Sequence, residues 1–129
     1  MQIARAPLPA IGDRQKIQKY GAGRFTVSGQ SFVGGVLVLP HQTLSWPATD
    51  VTALSEQAVE QLVAHAGSID VCLMGCGPKT LLLPAALRAR FKAANLRVDA
   101  MDTGSACRTF NVLVSEGRAV AAALIPLGT

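Results

Sequence analysis

Apolar and polar positions follow two rhythms along the chain, and the change falls near residue 50. Before it, short apolar runs are broken by turn residues. Gln15–Tyr20 and Arg24–Val27 read as strands, followed by the turn Ser28-Gly29-Gln30-Ser31. Val36–Leu39 reads as a buried strand stopped by Pro40, and Leu44–Pro47 as a short strand carrying Trp46. After the change, Leu54, Ala58, Leu62 and Ala66 recur every four residues, which predicts a helix. Ser55 is placed to cap it, Glu56 and Glu60 sit toward its positive end, and Gly67 is its expected stop. Ile69–Met74 is an apolar strand broken by Gly75-Cys76-Gly77-Pro78, and Leu81–Leu83 reads as an extended or turn segment. Pro84 suits the first position of a helix, in which Leu83, Leu87, Phe91 and Ala94 form one stripe while Arg88 and Lys92 lie on another face. Asn95 is suited to a left-handed closing residue that folds Leu96 back on Phe91. Arg97–Met101 is the next strand. Thr103 or Ser105 then caps a helix running to about Glu116, with Gly117 as its stop. Apolar residues occupy nearly all its faces, which predicts near-complete burial. Ala119–Ile125 is apolar on both faces, as a central strand would be.

Strands followed by alternating helix and strand predict an α/β domain, a sheet with helices on both faces. The N-terminal hairpin either extends that sheet or lies across one side. With 129 residues the chain is one domain's worth. The proline-bearing residues 1–13 are expected to be a flexible arm and 14–129 a single domain.

Half the residues are hydrophobic and only 16% charged, which excludes intrinsic disorder. Aromatics at 5% exclude the stacking platforms of single-stranded nucleic-acid binders. No apolar run has the length of a membrane helix, and the first ten residues hold two prolines and no apolar stretch, which excludes a secretory signal. The three cysteines match no metal-ligand spacing and point to a reducing compartment, the cytoplasm. No metal or cofactor motif is present.

The net charge of +4 is concentrated: residues 1–30 hold Arg5, Arg14, Lys16, Lys19 and Arg24 against Asp13 alone. No basic run is contiguous, so this reads as a solvated, edge-guarding surface rather than a nucleic-acid site.

Two segments carry candidate chemistry. Gly75-Cys76-Gly77-Pro78-Lys79 follows one strand, with glycines that let backbone N–H groups approach an anion. It lacks the spacing of a Walker loop or a dinucleotide fingerprint. Asp102-Thr103-Gly104-Ser105-Ala106-Cys107-Arg108 follows the next strand and opens a helix. A cysteine in a first turn beside an arginine is a candidate thiolate, although neither His41 nor His65 is identifiable as its base. The plainer readings are a strand-exit turn and a capping segment with Cys107 packed inward. If the two strands are parallel neighbours, Gly75, Cys76, Gly77, Lys79, Asp102, Cys107 and Arg108 share the carboxyl edge, where open α/β sheets bind ligands. Asp102 and Arg108 are expected to be chiefly structural anchors, and any ligand there an anion.

The runs Met101-Asp102-Thr103, Ala106-Cys107-Arg108-Thr109-Phe110-Asn111-Val112-Leu113 and Glu116-Gly117-Arg118, followed by Val120–Ile125, carry a resemblance. They resemble the bacterial type of a small family of unknown function. That family includes a mitochondrial respiratory complex I assembly factor and the adipogenesis-associated domain protein. Phe32–Leu39, Trp46-Pro47 and Gly75-Cys76-Gly77-Pro78 fit it more loosely. The resemblance implies a compact three-layer domain, a mixed central sheet flanked by helices with an added N-terminal β-hairpin layer, and no established catalysis. It points to a non-catalytic interaction or assembly module with a protein partner, linked to complex I biogenesis. The absence of a nucleophile–base–orienter set agrees with that. The alternative is a small-anion binder or enzyme using Cys107 and Arg108. Weak homo-oligomerisation stays open, and no cofactor is expected.

Overall fold

The computed structural model describes residues 7–128. Strands β1 (Ile17–Gly21), β2 (Arg24–Val27) and β3 (Gln30–Val33) form an antiparallel sheet of their own. Strands β4 (Val36–Val38), β5 (Thr43–Ser45), β6 (Val71–Gly75), β7 (Val98–Met101) and β8 (Val120–Leu124) form a second sheet in the order β5-β4-β8-β6-β7. β4 runs antiparallel to β5 and β8, and β6 runs parallel to β7 and β8, so the sheet is mixed and β8 is its middle strand. Helices α1 (Glu56–Val63), α2 (Ala85–Ala93) and α3 (Thr103–Ser115) complete the fold.

The period of two in a strand sorts the side chains between two cores. Leu37, Cys72, Met74, Ala121 and Ala123 join Trp46, Val59, Leu62, Leu87 and Phe91 on the face covered by α1 and α2. Val36, Val38, Leu73, Val120, Ala122 and Leu124 join Phe25 and Val27 of the small sheet and Ala106, Cys107 and Phe110 of α3 on the other. The result is a three-layer α/β domain with the N-terminal strands laid across one face rather than extending the main sheet. β8 is apolar on both faces because it is covered on both. Trp46 is 2% exposed, and its Nε1–H donates to the Ala58 carbonyl at 3.0 Å, tying the β5 exit to α1.

Helix ends follow local chemistry, with three departures from the sequence reading. Ser55 accepts from the Ala58 N–H as expected. α1, however, stops at Val63 and not at Gly67: the chain tightens into a 3-10 turn over Ala66–Ser68. Pro84 occupies the cap position just outside α2. Asn95 does take a left-handed conformation (φ 56°), and the Leu96 N–H donates to the Phe91 carbonyl at 2.9 Å, so α2 closes as read. α3 is capped by Asp102, not by Thr103 or Ser105. Nor is α3 buried all round. Only Thr103, Gly104, Ala106, Cys107 and Phe110 are buried, and Val112 is 55% exposed, because a single side of the helix meets the sheets. Of the expected arm, residues 1–6 lie outside the described residues. Beyond them, Arg14 donates to the Pro9 and Val114 carbonyls and links the segment to the end of α3.

Candidate functional site

β6 and β7 are parallel neighbours in register from Cys72↔Val98 to Gly75↔Met101, so the two polar segments do meet at the carboxyl edge of the sheet. β8 ends at the same edge, with Gly75 opposite Leu124. Thr103 joins the three strand exits. It is fully buried, accepts from the Gly77 N–H at 2.9 Å and donates to the Ile125 carbonyl at 2.7 Å. Its own N–H donates to the Gly77 carbonyl, and the Cys76 N–H donates to the Met101 carbonyl. The Cys76 and Gly77 amides that a glycine-rich anion loop would offer are therefore engaged inside the protein. A β-carbon on Gly75 would stand 2.9 Å from the Thr103 hydroxyl and 3.0 Å from its Cα, which explains the glycine. Sequence reading saw Thr103 as a capping residue; its clasp depends on three strands that lie far apart in the chain.

Asp102 accepts from the Ser105 N–H at 2.9 Å and from the Ser105 hydroxyl at 2.6 Å. These bonds, hydroxyl first, and the neighbouring Arg108 charge hold its carboxyl below the usual carboxylate range. A lowered folded-state pKa gives stability that is present above the unfolded-state value and lost as pH falls through the folded one. The Ser105 amide shift should therefore titrate below the ordinary aspartate range of about 4. The same titration in Asp102→Asn should be flat; an unchanged acid titration there would assign it elsewhere.

Arg108 donates to the Tyr20 hydroxyl at 2.7 Å and to the Ser105 hydroxyl at 3.3 Å, bridging α3 to β1. Lys79 is exposed and makes no ion pair among the described residues. Cys107 is 1% exposed, and burial pushes its thiol up to about 12 despite the opposing pull of Arg108. It lies beyond the first turn and packs inward, in line with the plainer of the two sequence readings: desolvation outweighs the pull of Arg108. Cys72 is likewise pushed to about 12 by burial, and Cys76 is also buried. Native protein at neutral pH should show no labelling by N-ethylmaleimide in intact-mass spectrometry, and labelling at three sites in denaturant. Rapid native labelling at Cys107 would overturn this.

An apolar concave feature of the surface lies elsewhere. A groove of about 750 Å³ runs between the Leu81–Leu83 segment, α2 and β7. Leu82 stands beside it 81% exposed. Among the described residues no helix is long and apolar enough to cross a membrane, and no cluster of His, Cys, Asp and Glu is arranged to hold a metal.

Comparison with known proteins gives consistent matches. The family model described as protein of unknown function (DUF498/DUF598) matches residues 17–125. An uncharacterized protein of Rhodobacter capsulatus is 35% identical over 119 residues, covering 92% of this chain and 90% of that one. NADH dehydrogenase (ubiquinone) 1 alpha subcomplex assembly factor 3 of Danio rerio is 34% identical over 110 residues, covering 85% of this chain; the match spans 63% of the assembly factor's length. Among solved structures, one described as an outer membrane protein from Bartonella henselae superposes with a TM-score of 0.81 at 33% identity, covering 88% of this chain and 96% of that one.

Proposed function

The chain belongs to the DUF498/DUF598 family of proteins of unknown function, and from that premise we propose that it is a non-catalytic protein-interaction module. Its role is to assist assembly of a respiratory complex I in the cytoplasm. The observation that carries this is the 34% identity, across 85% of the chain, to a protein named as an assembly factor of NADH dehydrogenase (ubiquinone), the enzyme of respiratory complex I. The chemistry of the carboxyl edge supports it. Cys107 is buried, and burial holds its thiol well above the ordinary thiol range. Gly75, Cys76, Gly77, Asp102 and Arg108 serve the joints between strands and helix. The anion-binding alternative at Gly75, Gly77, Lys79, Asp102 and Arg108 has weaker support, because the Cys76 and Gly77 amides already have partners.

Deletion of the gene in the native cell tests the assembly reading. Assembled complex I on a native gel should fall and be restored by the wild-type chain. Normal levels in the deletion strain would overturn it.

A further inference from the structure

β7 is one of the two edge strands of the main sheet. The Cys72 N–H bonds to the Arg97 carbonyl and the Cys76 N–H to the Met101 carbonyl, so alternation turns the main-chain groups of Val98 and Ala100 to the open edge. Both residues line the groove beside Leu81, Leu83 and Phe91, which give it an apolar floor. The rim is basic: Arg88 and Lys92 lie one helical turn apart on α2, and Arg97 stands at the entry to β7. Among the described residues Arg88 and Lys92 have no acidic partner, and Arg97 has only a 3.6 Å contact with Asp99. A second copy of this chain would bring the same cations against them, so the rim disfavours self-pairing.

Resting on the interaction-module reading, we propose that this groove binds an extended acidic segment of a partner protein. The segment adds to β7 as a further strand, seats alternate aliphatic side chains against Leu82 and the groove floor, and places carboxylates on Arg88, Lys92 and Arg97. Backbone pairing provides the docking geometry, and the pockets and charges provide selectivity.

The test selects peptides of about a dozen residues from a random displayed library on the immobilised protein, with Leu82→Asp as counter-target. Leu82 is exposed, so this variant and the double variant Arg88→Glu/Lys92→Glu are expected to keep the fold, checked by circular dichroism. The expected result is enrichment of sequences with Asp or Glu flanking alternating Leu, Ile or Val. The best peptide should lose about tenfold or more in affinity on each variant, weaken with salt, and shift the amides of Val98 and Ala100 most. No enrichment over the counter-target, basic or uncharged winners, or shifts centred elsewhere would overturn the proposal. So would self-association that Leu82→Asp abolishes. Co-purification from the native cell separates the two readings. Unchanged recovery of complex I subunits with Leu82→Asp sinks the groove alone. Recovery of none with the wild-type chain sinks the assembly role and leaves peptide binding standing.

Discussion

Thr103→Val should destabilise the protein by about 3 kcal/mol and lower Tm by about 10 °C. Valine fills nearly the same volume, so packing is not the cause. The change removes the acceptor of the Gly77 N–H and the donor to the Ile125 carbonyl at a fully buried position. Each backbone group left without a partner away from water costs about 1–3 kcal/mol. Thr103→Ser keeps the hydroxyl and loses one methyl, at about 1 kcal/mol. Urea unfolding of the three proteins measures this. A valine variant as stable as the serine variant would show that the clasp contributes nothing net. A loss of this size is a large share of the roughly 5–15 kcal/mol that holds a domain folded.

Gly35→Ala should cost a similar amount, about 3 kcal/mol, for a different reason. An added β-carbon would stand 2.5 Å from the Trp46 carbonyl oxygen, 3.0 Å from that of Ala48 and 3.3 Å from that of Leu124. All three are main-chain atoms, so no side chain can swing aside. The backbone must move, and with it the bond from the Trp46 N–H to the Gly35 carbonyl at 2.9 Å. Trp46 fluorescence should report the shift, since the nearest atom is the carbonyl oxygen of Trp46 itself. Gly67→Ala is the control: its β-carbon meets nothing within 4 Å, and the change should stay within about 0.5 kcal/mol. Equal stability of the two variants would show that the main chain around Gly35 relaxes freely.

How far sequence reasoning reached follows from how local each feature is. The continuous apolar runs at Val36–Leu39 and Ala119–Ile125 mark their strands, and Ser55 and Asn95 mark their helix ends, because each signal lies within a few residues. The all-round apolar pattern of α3 misled, since Val112 faces outward with no layer above it. The carboxyl-edge segments were rightly brought together, but the role of Thr103 was not legible. Its partners Gly77 and Ile125 lie 26 and 22 residues away. The groove was illegible for the same reason. Its pieces were noticed separately, Arg88 and Lys92 on one helical face and the Leu81–Leu83 run before Pro84. Only the pairing of β7 sets them side by side.

The place of β8 in the sheet bears on the birth of the molecule. Of the eight strands in the described residues it is synthesised last, yet it lies between β4 and β6 and belongs to both cores. Until residue 124 has left the ribosome, the first and second halves of the main sheet have no strand to join them, and β4 and β6 each present a bare apolar edge. Folding of this domain therefore waits for the end of β8 and then proceeds through pairings distant in the chain, which are slow to form. A nascent or truncated chain that stops short of Val120 is the form most exposed to aggregation, and the one most in need of a chaperone.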